Sequence, residues 1–217
     1  MKHLFTLVVL FLVCEAFPTL AVAHLPSPEF LKSSKQTPVF LIVEQNKLYR
    51  GGHPTNLGLQ YLKQIGVRTI LSVQGGDATE KGNPIGWFLP ATTPSERVAN
   101  VLAEKSAANR LGLTFVWDPM AAMITFDKQI TAQEDLFIDQ ALKIMNDKRY
   151  QPIYLHCSLG KDRAGLLVAL YRVMHGWSVE RAHQEWIDNG HSGLNGMFTQ
   201  TLDTYFYEKV TRLNSTL

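Results

Sequence analysis

Residues 152–176, PIYLHCSLGKDRAGLLVALYRVMHG, decide how this chain is read. "PIYLH" (152–156) is short, apolar and β-rich, as a buried strand is, and the run from Arg163 to His175 reads as a helix that Gly176 ends. Between them a tight loop holds Cys157 and, after five intervening residues, Arg163. A loop that leaves a strand and enters a helix points successive backbone N–H groups into a small concavity, and the helix N-terminus adds positive potential there. The product is an anion site. The field that holds a phosphate also stabilises a thiolate. The planar fork of Arg163 suits two phosphate oxygens, and Gly160 lets the backbone bend closely around the anion. Each element of HCSLGKDR therefore fits one reaction: thiolate attack on a phosphate ester, then hydrolysis of a cysteinyl-phosphate by water.

Other phosphate and metal loops fit less well. The nucleotide-binding pattern G-x-x-x-x-G-K-[ST] needs a glycine at 155 and a hydroxyl at 162, where this chain has Leu155 and Asp162. His175, His183 and His191 are evenly spaced but spread over two helices and a loop, and they read as ordinary helix and loop residues rather than a zinc site. A purely structural cysteine would leave the glycine and arginine at this spacing unexplained.

Working outward, 217 residues with 46% hydrophobic content suffice for one domain with a full core. The formal net charge of +2 comes without a basic run, which argues against a nucleic-acid binder and suits a small anionic substrate. Residues 1–23 read as an export signal: Lys2 and His3 precede an apolar run from Leu4 to Val13, Glu15 interrupts it, and "AVA" (21–23) offers the small-x-small end that signal peptidase requires. Cleavage would remove Cys14 and leave Cys157 as the sole cysteine, either a small buried hydrophobe or a reactive group. The expectation is a periplasmic or secreted protein without stable membrane insertion. Residues 24–38 read as a flexible mature N-terminus, and 39–217 as one catalytic domain.

Strand and helix signals alternate along that domain. "VFLIVE" (39–44), "VRTILSV" (67–73), "LTFVW" (113–117) and 152–156 read as strands, and "LYRGGHPTN" (48–56) as a turn. Thr55 or Asn56 caps the helix that follows, Thr93 and Glu96 make a capping box, and Thr131 and Glu134 make a second. Behind Thr131, Phe137, Ala141, Ile144 and Met145 form a core-facing stripe. Ser178 opens a further helix, and a last one runs from about Met197 to Arg212 with Phe198, Leu202, Tyr205 and Phe206 inward. The fold class this predicts is α/β: a central, mostly parallel sheet flanked by helices, with a helix-rich C-terminal third. The long stretch 74–92 carries no clear period; Trp87 and Phe88 within it offer a wall for a substrate or dock on the core.

His156 followed by Cys-x5-Arg resembles the signature loop of the cysteine-dependent protein tyrosine phosphatases. Residues 48–76 resemble a segment of the atypical dual-specificity branch, including its exported bacterial members, and residues 165–186 resemble the helices after the loop in that branch. The resemblance implies a two-step phosphoenzyme mechanism with no metal and no cofactor. It implies Cys157 as nucleophile, Arg163 as phosphate clamp, and Ser158, Leu159, Gly160, Lys161 and Asp162 as the cradle. His156 orders the loop and tunes the thiolate in that family. Substrates would be phosphotyrosine, phosphoserine or phosphothreonine proteins, or inositol phosphates and phosphoinositides. Lys161 beside the cradle favours a second anionic group, or simply faces solvent. Among three candidate general acids, Asp127 ranks first by its position before the Thr131 cap, Asp162 second, and Asp118 third, its plainer reading being a turn with Pro119. Ala164 departs from the family, where a Ser or Thr hydroxyl helps the sulfur leave. That departure keeps open a non-catalytic phosphate binder, and a rhodanese-like sulfurtransferase is the other alternative.

Overall fold

The computed structural model of the protein describes residues 37, 39–75, 94–118, 120, 130–191 and 200–215. The export signal, Trp87, Phe88, Thr93, Pro119, Asp127 and Phe198 lie outside them. Five strands, β1 (Leu41–Glu44), β2 (Leu48–Gly51), β3 (Thr69–Ser72), β4 (Thr114–Trp117) and β5 (Ile153–His156), form one sheet in the order β1-β2-β5-β3-β4. The helices are α1 (Asn56–Gln64), α2 (Pro94–Arg110), α3 (Ala132–Asn146), α4 (Arg163–Met174), α5 (Val179–Asp188) and α6 (Gln200–Ser215). The β1–β2 pair is antiparallel and the other three pairings are parallel, as the alternation of strands and helices requires. None of the described helices is long and apolar enough to cross a membrane.

Residues 48–51 are a strand, not a turn. Leu48 and Tyr49 are buried on opposite faces, and Arg50 is fully buried because loop carbonyls receive its guanidinium. β2 thus becomes the parallel neighbour of β5, with Arg50 opposite Leu155 and Gly51 opposite His156.

The period of two along each strand divides the core. Leu48, Leu71, Ile153 and Leu155 pack with α3, α4, α5 and α6, while Tyr49, Ile70 and Tyr154 pack with Leu59 and Leu62 of α1 and Ala107 and Ala108 of α2. On α3 the fully buried positions are Ile138, Ala141 and Met145, with Leu142 nearly so, whereas Phe137 is only partly buried. Ala141, Ile144 and Met145 of the expected stripe are buried, and Ile138 and Leu142 join them in place of Phe137. Caps fix the helix starts: Thr55 Oγ1 accepts from Gly58 N at 3.1 Å, and Thr131 and Glu134 form the reciprocal box. All strands neighbouring β5 end together with it, so the residues after β2, β3 and β5 share one rim of the sheet.

Candidate active site

The turn from β5 into α4 is built on that rim. Cys157 is buried, and Gly160 N donates to its Sγ at 3.3 Å. Gly160 has φ +76°, and a Cβ there would stand 2.3 Å from the carbonyl carbon of Gly51 and 2.5 Å from Gly52 N. Only glycine admits both the left-handed backbone and this approach of the loop to β2. Tyr154 donates its hydroxyl to Gly52 O at 2.7 Å, and His53 N donates to Ser158 O at 3.0 Å, so the loop and the end of β2 are sewn together on both sides.

Arg50 fixes which way the loop's peptide groups face. Its Nε donates to Gly160 O at 2.7 Å and its Nη2 to Lys161 O at 3.0 Å. Trp186 Nε1 donates to the same Lys161 carbonyl at 3.0 Å. The carbonyls are held outward, which leaves amides to face the sulfur, as the Gly160 N–H does. Burial pushes the Arg50 guanidinium down to about 10, against the opposing charge effects of nearby Cys157, Glu185 and Asp162, so it stays charged at neutral pH. Gly165 completes the packing: a Cβ there would meet Trp186 Nε1 at 2.3 Å and Arg50 Nη2 at 2.9 Å.

The remaining loop residues divide by surroundings. Leu159 is exposed and Ser158 half-buried. The stem of Lys161 lies along Gly190, whose added Cβ would meet Lys161 Cε at 3.1 Å. Asp162 Oδ1 lies 2.9 Å from His191 Nδ1. His191 Nε2 lies 3.3 Å and His183 Nε2 2.7 Å from Asp203 Oδ1. His183 and His191, which read as unrelated in sequence, therefore meet on one carboxylate of α6. His175 does not join them; it stacks on Tyr171 at a centroid distance of 4.0 Å. Ala164 is fully buried in the core under the loop.

Arg163 begins α4, and its Nη1 donates to Met120 O at 3.1 Å, joining the loop to the chain that leaves β4. Asp118 is on that same chain. Its carboxylate is buried, with no hydrogen-bond partner among the described residues, and burial pushes it up to about 6. Asp118 thus faces the interior, and its expected turn partner Pro119 lies outside the described residues. Asp127 lies outside the described residues.

Arg50, Glu104 and Trp186 were not singled out in sequence. Glu104 of α2 is buried, with Oε1 2.8 Å from His156 Nε2 and Oε2 3.4 Å from His53 Nδ1. The signal that would have found Arg50 is a charged residue inside a run that alternates like a strand; nothing local marks Glu104.

A cysteine sulfur at the mouth of a strand–loop–helix cradle, with its arginine at the helix start, defines the cysteine-dependent phosphatase class of fold and site. The chain belongs to the tyrosine phosphatase family, whose pattern matches residues 37–214. It is 27% identical over 150 residues to inositol diphosphatase DSP3 of Arabidopsis thaliana, covering 69% of this chain and 61% of that protein. The chain thus spans about three fifths of this curated relative. Among solved structures it resembles TpbA of P. aeruginosa (TM-score 0.54, 18% identity, 82% of this chain and 92% of that one). It also resembles the catalytic core of the PP-IP phosphatase SIW14 of S. cerevisiae (TM-score 0.51, 18% identity, 82% and 92%). At these identities the structural likeness establishes the fold.

Proposed function

We propose that the protein hydrolyses phosphate monoesters through a cysteinyl-phosphate on Cys157. One observation carries this: the Cys157 sulfur receives the Gly160 amide at 3.3 Å in a loop whose carbonyls are turned away onto Arg50. In the first step the thiolate bonds to phosphorus, the ester P–O bond breaks, and the leaving oxygen takes a proton from a carboxylic acid. In the second, a water oxygen bonds to phosphorus, the S–P bond breaks, the thiolate is regenerated, and the water proton returns to the carboxylate. Backbone amides of residues 158–162 and the Arg163 fork bind the phosphoryl oxygens, with Arg163 exchanging its bond to Met120 O for the substrate. We assign the acid to Asp127, with Asp162 and Asp118 as its rivals.

The substrate class we favour is a phosphorylated inositol. The curated relative is named an inositol diphosphatase, and Lys161, held against Gly190 beside the loop, suits a second phosphate. Phosphotyrosine proteins are the second reading, favoured by the family to which the chain belongs. We further propose export after cleavage near Ala23, on the strength of residues 1–23; N-terminal sequencing of the mature protein tests it.

The test is phosphate release in EDTA from an aryl phosphate, phosphotyrosine peptides and inositol phosphates, with Cys157→Ser as control. The reading expects turnover that the variant lacks, and fastest turnover on inositol phosphates. No release with retained phosphate binding would make the protein a phosphate binder, and transfer of sulfur from thiosulfate to cyanide would make it a sulfurtransferase.

A further inference from the structure

Behind the catalytic loop, His53, Glu104 and His156 bring three donor atoms within 4.8 Å of one another. They come from the chain after β2, the middle of α2 and the last residue of β5. Glu104 approaches both histidines, at 2.8 Å and 3.4 Å, yet neither approach is aligned as a hydrogen bond. Among the described residues both carboxylate oxygens and His156 Nε2 have no hydrogen-bond partner. The Glu104 side chain is 1% exposed, so water does not serve it from outside. A carboxylate buried in this way needs a paired charge or a metal ion.

The surroundings suit an ion. The other nitrogen of His156 lies 3.3 Å from Cys157 O, and a ring N–H donated to a backbone carbonyl is how metal-bound histidines fix the tautomer that aims the free nitrogen at the metal. Zinc bonds of about 2.0–2.1 Å in a tetrahedron set ligand atoms about 3.3 Å apart. His156 Nε2 stands 2.8 Å from Glu104 Oε1 and His53 Nδ1 3.4 Å from Glu104 Oε2, with Gln74 Oε1 3.1 Å from the same His53 nitrogen, so an ion draws the two rings onto one carboxylate oxygen and takes His53 from Gln74 or binds its other nitrogen. A cavity of about 570 Å³, lined in part by His53, Gln74, Glu104 and Ser158, reaches the trio from the side of His53, its one partly exposed member.

We propose that His53, Glu104 and His156 form a binding site for a divalent transition-metal ion of the zinc class. Two imidazoles and one carboxylate match that ion's preferences. The ion takes no part in phosphoryl transfer; it lies behind the loop and, through His156, holds the carbonyl of Cys157. The site stands independently of the hydrolase reading.

The test titrates the full-length protein, stripped with EDTA and desalted, with Co²⁺ read by visible absorption, then with Zn²⁺ by competition. The expected result is one ion per chain with a tetrahedral cobalt spectrum, unchanged in Cys157→Ser. His53→Ala and Glu104→Gln should each weaken binding by more than the roughly 10–100-fold that loss of an outer-shell partner costs, with folding in EDTA confirmed by circular dichroism. His53 is partly exposed, so its variant keeps the test usable if Glu104→Gln misfolds. Absence of saturable binding overturns the proposal. So does binding lost in Cys157→Ser and indifferent to His53→Ala and Glu104→Gln, which would place the ion on the catalytic thiol.

Discussion

Arg50 Nε donates to the carbonyl of Gly160 at 2.7 Å across 110 positions of sequence. That bond, with its companion to Lys161 O at 3.0 Å, decides which face of the loop offers amides to an anion. The loop between β5 and α4 takes its polarity from a buried strand residue rather than from its own letters.

Arg50→Lys should therefore damage the site although charge is kept. An ammonium cannot span both carbonyls in one plane, and a hydrogen bond to a charged group contributes about 1.5–3 kcal/mol. Urea unfolding should show a loss of about 2–3 kcal/mol, and kcat/KM on an aryl phosphate should fall by roughly 100-fold, as when a preorganised electrostatic contact is lost. A variant with native stability and activity would mean that the loop holds its own shape.

How much of this was legible in the sequence varies with the distance over which each feature is set. The β5–loop–α4 unit was readable because its strand, glycine and helix start are consecutive, and Thr131 with Glu134 marked a helix from three residues' spacing. β2 was not. Four residues containing a charge and a terminal glycine look like a turn until the carbonyls that receive Arg50 are known. The α3 stripe was legible at Ala141, Ile144 and Met145; Phe137, the bulkiest residue of its turn, was misplaced because packing selected Ile138 and Leu142 instead. Glu104 and the meeting of His183 with His191 at Asp203 depend on contacts between elements and leave no local pattern.

Asp118 should make folding pH-dependent. Burial raises its carboxyl to about 6, above the roughly 3.9 of an unfolded chain. The folded state thus binds a proton that the unfolded state has released. The contribution favours folding most below about pH 4 and is lost as pH rises to about 6, for a total of about 3 kcal/mol. Asp118→Asn should remove this dependence and raise stability at pH 8 by up to that amount. Denaturant midpoints from pH 4 to 8 decide it; an Asn variant that is less stable at pH 8 would mean that the ionised carboxylate makes a stabilising contact in the fold.

Ala164 predicts a slow second step. With a methyl where the family has a hydroxyl, departure of sulfur from the phosphoenzyme lacks a hydrogen-bond donor. Rapid mixing should show a burst of leaving group followed by slower turnover. Ala164→Ser should raise the steady rate; it is preferable to threonine because the site is fully buried and added volume costs about 1–3 kcal/mol. Absence of a burst, with no gain from serine, would make the first step limiting.

The acid is identified by leaving-group chemistry. Asp127→Asn should slow hydrolysis of an inositol phosphate about 10²–10⁴-fold, the range of a general acid, while an activated aryl phosphate is spared. Asp162→Asn should disturb both substrates, because Asp162 is tied to His191 and shapes the loop. Selective loss in Asp162→Asn with a silent Asp127→Asn would move the acid into the loop.

The central claim is that phosphate passes through sulfur. Acid quenching within the first turnover, followed by intact-mass and peptide mass spectrometry, tests it most directly. The account predicts one added phosphoryl group per chain, located on the peptide bearing Cys157 and absent from Cys157→Ser. Turnover that proceeds with no phosphorylated Cys157, or a phosphoryl group found on another side chain, would contradict it.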